Sequence, residues 1–176
     1  MHTAVYIAWG VLLLVWLAGM IGSKRTARQE TLGDRALHVF GSVLAFSLLF
    51  GDEPAPEPYG GWTGLALTVA GVAVAIWARV TLGTNWSATV TVKENHELIR
   101  KGPYLFVRHP IYAGALLAIL GTALAFGEVR GLLGFLVALV TWKRKSLTEE
   151  RFMLEQFGPR YEQYRREVKA LIPGLW

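Results

Sequence analysis

Gly102-Pro103-Tyr104-Leu105-Phe106-Val107-Arg108-His109-Pro110-Ile111-Tyr112-Ala113-Gly114 is the stretch that decides how this chain is read. A cation, a histidine, two prolines and several aromatics stand just before a long apolar run, 111–126. Polar chemistry at the mouth of a hydrophobic segment raises the question of what that segment crosses. The rest of the chain answers it. Further apolar runs cover about 3–22, 36–50, 62–82 and 131–145. A helix that crosses a bilayer needs about 20 predominantly apolar residues. The second run is short, but Leu32 and Gly33 can extend it. The fifth is apolar only to Trp142, and the absence of Gly or Pro between 143 and 157 lets its helix continue.

Composition agrees with a membrane class. Of 176 residues, 53% are hydrophobic, and the mean hydropathy is +0.36. The net charge of +5 raises the question of nucleic acid. The basic residues instead flank the apolar runs, where a membrane topology places them. Cysteine is absent. That excludes a disulfide framework, a cysteine zinc site and a thiol nucleophile. No cleaved leader is expected, because the first run begins at once and lacks a basic n-region.

Lys and Arg also give the orientation. Four lie in 24–35, five in 79–110 and eight from 143 onward, leaving Arg130 as the remaining one of 18. The positive-inside rule then places the N-terminus outside and the three basic segments in the cytosol. The fold expected is an all-α integral membrane protein of five transmembrane helices, forming a single domain with a cytosolic C-terminus. Cytosolic C-terminal helices are expected over 146–170, broken at Gly158-Pro159. Thr89–Val92 alternates and Leu98-Ile99 resumes after a turn, so a small ribbon is expected there. His38 and Arg79 read as headgroup contacts, the arginine by snorkelling. Asn85 and Trp86 read as a structural turn with an interface anchor, and Tyr161 and Tyr164 as packing.

The tight turn Gly127-Glu128-Val129-Arg130 makes the fourth and fifth helices an antiparallel hairpin. Glu149-Glu150 is thereby brought near His109 and Tyr112. Carboxylates, a cation, a histidine and aromatics converge where lipid meets water. The common alternatives lack their residues. No Gly-x-Gly-x-x-Gly follows a strand, and there is no P-loop and no His-Glu-x-x-His. His96 and His109 are too isolated to argue a metal site. No nucleophile elbow is present.

Thr81-Leu82-Gly83-Thr84-Asn85-Trp86-Ser87 opens a series of motifs. Val90-x-Val92-x-Glu94-x-His96-x-Leu98 follows, then the stretch quoted above, Glu149-Glu150, and Phe157-Gly158-x-x-Tyr161-x-x-Tyr164. In this order they resemble the isoprenylcysteine carboxyl methyltransferase family, in its prokaryotic five-span branch. The resemblance begins at Thr81 and runs to the C-terminus. It implies S-adenosylmethionine as cofactor, held without a Rossmann fold in a cytosolic pocket between the 83–110 loop and the C-terminal helices. It implies a lipophilic or lipid-linked substrate entering from the bilayer, with membrane lipid as partner and neither nucleic acid nor metal. Carried over by position, the cofactor contacts are Lys93, His96, Glu97, Leu98, Ile99, Tyr104, His109, Pro110, Ile111, Tyr112, Glu149 and Glu150. The residues implied in catalysis are Arg108, Lys145 and Glu149. Lys145 is a departure, since the eukaryotic enzymes carry arginine there. Lysine keeps the charge but loses the planar fork that grips a carboxylate twice.

The chemistry implied is methylation of a carboxylate on an isoprenylcysteine-type acceptor. An activated methyl donor leaves the protein to align reactants and exclude water. Alternatives with the same residues are a phospholipid N-methyltransferase and an NADPH-dependent sterol-reductase-like enzyme, which shares an Arg-His-Pro-x-Tyr stretch. A non-enzymatic membrane protein that keeps the fold is a further one. The pattern at 149–164 argues against the reductase, and the intact acid pair against the non-enzyme.

Overall fold

The computed structural model describes residues 1–20, 26–51, 60–86, 89–93 and 97–174. Among them, six α-helices occur: α1 His2–Ala18, α2 Leu32–Phe50, α3 Gly61–Leu82, α4 Pro110–Phe126, α5 Val129–Phe157 and α6 Pro159–Glu167. Helix therefore occupies each of the five apolar runs. α2 and the segment Gly61–Asn85 are long and apolar enough to cross a bilayer, and α1 and α4 are shorter apolar helices. Thr31 caps the start of α2, its hydroxyl accepting from the Asp34 amide at 3.1 Å.

α5 positions the site. Its 29 residues make it about 43 Å long at 1.5 Å per residue. That exceeds the roughly 30 Å hydrocarbon core of a bilayer. The apolar half, up to Trp142, packs in the helix bundle, and the remainder carries Lys145, Glu149 and Met153 past it. Gly127 turns the chain from α4 into α5 in the left-handed region, φ 73 ψ 15. Gly158, at φ 51, separates α5 from α6.

α3 and α4 meet backbone to backbone. A Cβ on Gly71 would lie 2.4 Å from the Ala118 amide nitrogen and 2.4 Å from the Gly114 carbonyl oxygen. Gly64 meets Ala125 and Gly121 in the same way. Small residues at these positions allow the close helix contact. Between the helices the Thr68 hydroxyl lies 3.2 Å from that of Thr122, which accepts from the Trp9 indole at 2.9 Å. Gly71→Ala is expected to lower stability by about 1–3 kcal/mol through overpacking. Gly10→Ala is the control, because nothing lies within 4 Å of its Cβ position. Thermal unfolding in detergent reads the difference, and equal effects of the two changes would contradict the packing account.

Several expectations are corrected. The helices are joined by a small sheet. Its strand β2, Thr91–Lys93, pairs antiparallel with β1, Thr26–Gln29, and not with Leu98-Ile99. The partner lies in the distant polar connection before α2, which local alternation does not reveal. α6 stops at Glu167, short of Ala170, because the next residues run extended alongside Val107. His38 is 5% exposed and faces no headgroup; its Nδ1 is 2.8 Å from the buried Glu30 carboxylate. Glu30 in turn accepts from the Val90 amide at 3.1 Å, tying the first connection to β2. Arg79 does not snorkel. It is buried, bonds the carbonyls of Gly19 and Gly83, and stacks 4.3 Å over the Trp86 ring. Trp86, buried beneath it, is no interface anchor.

Candidate active site

The α4–α5 hairpin and the segment before α4 bring the expected residues together. Pro103 opens a short 3-10 turn over Gly102–Leu105, which buries Tyr104. The chain then runs extended beside the segment after α6. Arg108 and His109 donate their amides to the carbonyls of Lys169, at 2.8 Å, and Ala170, at 3.0 Å. Pro110 begins α4, where its missing amide proton costs nothing. The Tyr164 hydroxyl, from α6, donates to the Tyr104 carbonyl at 2.6 Å. The stretch that opened the sequence reading is thus fixed at both ends.

The acid pair splits into two environments. The Tyr112 hydroxyl donates to Glu149 at 2.5 Å, and His109 Nδ1 lies 3.3 Å from the other Glu149 oxygen. His109 Nε2 lies 3.2 Å from Glu150. Glu150 also receives Nε and Nη2 of Arg108 and lies 3.3 Å from Nε of Arg165. Exposure separates the two acids: the Glu149 side chain is 27% accessible and that of Glu150 7%. Rings of His109, Tyr112 and Trp142 stack in sequence, with successive centroids 5.9 Å apart. The Lys145 ammonium sits 5.7 Å from the centre of the Tyr112 ring.

A cavity of about 600 Å³ opens beside this cluster. That is ordinary for a small-molecule pocket. Glu97, Leu98, Ile99, Tyr104, Arg108, His109, Ile111, Tyr112, Lys145 and Glu149 all contribute to its wall. Pro110 and Glu150, expected as cofactor contacts, do not line it. Pro110 is enclosed in the fold, and Glu150 is turned toward the two arginines. His96 and the Lys93 side chain lie outside the described residues, although the Lys93 backbone ends β2. Arg108 reaches the cavity, but its guanidinium is engaged by Glu150 and by the carbonyls of Arg165 and Val168.

The opposite wall was not foreseen. α1 supplies Trp9, Leu12 and Trp16, and α2 supplies Ser42, Phe46 and Phe50. Their spacing held the signal. Trp9 and Trp16 are seven apart, and Ser42, Phe46 and Phe50 repeat every fourth residue, so each set shares a helix face. The Trp142 indole bonds Ser42 at 3.1 Å and joins this wall to α5. Tyr161 and Tyr164, read as packing, are buried and also reach the cavity.

Burial alone pushes the His109 imidazole toward neutrality, but its bonds to Glu149 and Glu150 outweigh this and raise it above 6.5. Burial likewise pushes both carboxyls up. Hydrogen bonding to His109 reverses the shift at Glu149, and at Glu150, with Arg108, it holds the carboxyl down to about 2. The two carboxylates thus favour the protonated form of the imidazole between them, and it in turn favours their charged forms. A histidine raised on folding adds stability below its ordinary value of 6.5, and that stability is lost as pH rises through the folded value. A depressed carboxyl adds stability above 4.5, lost as pH falls toward about 2. Thermal stability should thus decline on the alkaline side of neutrality, and His109→Gln should flatten that limb. An unchanged alkaline limb in the variant would contradict the assignment.

Known proteins share the sequence pattern and the fold of this chain. A family model described as phospholipid methyltransferase matches residues 60–160. The chain belongs to the phospholipid methyltransferase family. Several relatives bear the name that the motifs suggested. A protein-S-isoprenylcysteine O-methyltransferase of Schizosaccharomyces pombe is 40% identical over 101 residues, covering 54% of this chain and 42% of that protein. A probable protein-S-isoprenylcysteine O-methyltransferase of Oryza sativa subsp. indica is 30% identical over 117 residues, covering 65% and 61%. The chain thus spans about half the length of these relatives. The fold is shared with the eukaryotic intramembrane Ras methyltransferase ICMT, with a TM-score of 0.62 and 23% identity, over 85% of this chain and 55% of that one. The resemblance read from the motifs is borne out at the level of family.

Proposed function

We propose that this protein is a five-span integral membrane methyltransferase with its active site on the cytosolic face. The acceptor is a lipophilic carboxylate of the isoprenylcysteine type, and the methyl donor is S-adenosylmethionine. Its membrane placement is supported by the apolar surface of its helices. Leu13, Leu14, Phe40, Val43, Trp62 and Val80 are all at least 59% exposed, far more than water tolerates in one belt.

The chemistry of the wall fits the proposed donor. An adenosine sulfonium needs negative charge near its cationic groups and apolar or aromatic surface for its base. Glu149 offers the charge, and Leu98, Ile99 and Tyr104 the surface, all lining one cavity. When bound, the donor supplies a methyl group already activated on a positively charged sulfur. The protein's part is to align and to exclude water, worth roughly 7–11 kcal/mol in the best intramolecular cases. Tyr112 and His109 hold the Glu149 carboxylate in place toward the cavity. Lys145, on the same wall, attracts an acceptor carboxylate. Such an acceptor arrives without a proton to lose, so no base is required of His109. The aromatic wall from α1 and α2 takes the acceptor's apolar portion. Arg108 acts as a positioning residue through its bonds to Glu150 and to the segment after α6.

The observation that carries this reading is the accessible Glu149 carboxylate, set between His109, Tyr112 and Lys145 in a chain of this family. Lys145 also favours a carboxylate over an amine, since it repels a protonated headgroup. The test uses labelled S-adenosylmethionine with purified protein, offered either S-farnesylcysteine or phosphatidylethanolamine. A base-labile methyl ester on the first is expected. Label on the amine lipid alone would overturn the acceptor, and label on neither would overturn the reaction.

A further inference from the structure

On the other side of Glu150 lies a second recess of about 500 Å³, between α5, α6 and the segment that follows α6. Arg108, Lys143, Arg165, Arg166 and Lys169 line it with two carboxylates, Glu150 and Glu162. The acids are already engaged. Glu150 is held by Arg108 and, at 3.3 Å, by Arg165; Glu162 receives Arg166 at 2.8 Å. Cations still outnumber carboxylates five to two. Lys143, Arg165, Arg166 and Lys169 reach solvent. A basic recess of this kind attracts an oxyanion, and arginine forks match a phosphate's geometry.

The surroundings identify the source of that phosphate. Lys143 directly follows Trp142, the last residue of the apolar run in α5. Leu147, on the rim, is 48% exposed, and Ile172, beside the lining residue Leu171, is 47% exposed. The recess is thus basic within and apolar at its edge, at the height where α5 leaves the lipid. An amphiphile matches both parts, whereas a free phosphate matches only the first.

We propose that this recess binds the phosphate headgroup of an anionic membrane lipid, separately from the cavity at Glu149. The inference rests on the membrane orientation proposed above and is independent of methyl transfer. Such a lipid ties α5 to α6. Through Arg165 and the carbonyls that Arg108 bonds, it also steadies the segment that holds Val107 and His109.

The experiment is thermal unfolding of the purified chain in a neutral detergent. It is titrated separately with dioctanoyl phosphatidylglycerol, dioctanoyl phosphatidylcholine and inorganic phosphate. Phosphatidylglycerol should raise the Tm by roughly 5 °C near saturation, with little response to the other two. In Arg166→Gln with Lys169→Gln the apparent affinity should fall roughly 10- to 30-fold, at about one charge-equivalent of binding per cation removed. Lys143→Gln alone is a milder variant, should the double one unfold early, and should weaken binding about fivefold. An equal response to phosphatidylcholine, or variants that respond like the parent, would overturn the site. An equal response to inorganic phosphate would overturn the lipid as its occupant. Because unfolding is the readout, a failure here leaves the methyl-transfer test unaffected, and the reverse also holds.

Discussion

Glu149→Gln should weaken S-adenosylmethionine binding by roughly 30-fold or more while the protein still folds. Truncating one member of a desolvated, hydrogen-bonded charge pair costs about 2–5 kcal/mol of binding. Glutamine keeps the shape of the side chain and an oxygen for the Tyr112 hydroxyl, which donates to Glu149 at 2.5 Å. The change therefore removes charge and little packing. The partly accessible position of Glu149, against the enclosure of Glu150, makes the two acids separable. Glu150→Gln should chiefly reduce thermal stability, because it strips Arg108 and Arg165 of their shared carboxylate. Calorimetric titration of both variants reads the distinction. If Glu150→Gln lost affinity and Glu149→Gln kept it, the roles within the pair would be reversed.

The second large effect concerns Arg108. Its guanidinium bonds Glu150 through Nε at 2.9 Å and through Nη2, and Nη1 reaches the carbonyls of Arg165 and Val168. Arg108→Ala leaves a carboxylate buried with fewer compensating charges. Removing one partner of a buried pair typically costs about 3–5 kcal/mol. For a chain of this size that is a drop in Tm of roughly 6–20 °C. Adding Glu150→Gln should recover part of the loss, since the orphaned charge is then gone. Arg108→Lys should fall between, because lysine keeps charge but cannot bridge a carboxylate and two carbonyls at once. If the double variant were no more stable than Arg108→Ala, the pair would not be the origin of the effect.

The parts legible from sequence were those that one helix period or one turn decides. The apolar runs gave the helices, and the Gly127–Arg130 turn placed Glu149 beside His109 and Tyr112. Contacts set by long-range topology were not legible. Thr26–Gln29 pairing with Thr91–Lys93 needs two polar connections brought together across α2 and α3. Arg79 and His38 look like headgroup contacts because a cation or histidine at a helix end usually is one; their partners, the Gly19 carbonyl and the Glu30 carboxylate, lie 60 and 8 residues away in sequence and are brought to them by the fold. The aromatic wall from Trp9 to Phe50 was hidden for another reason. Tryptophan and phenylalanine in an apolar run read equally well as lipid-facing, and only the cavity shows which side they take.

The central claim is that the cavity at Glu149 holds an adenosine-based methyl donor. Titrating the purified protein in detergent with S-adenosylhomocysteine, the demethylated product, tests it without any assumption about the acceptor. One molecule bound per chain, with NADPH giving no heat beyond dilution, is the result expected. Saturable NADPH binding with none by S-adenosylhomocysteine would contradict it.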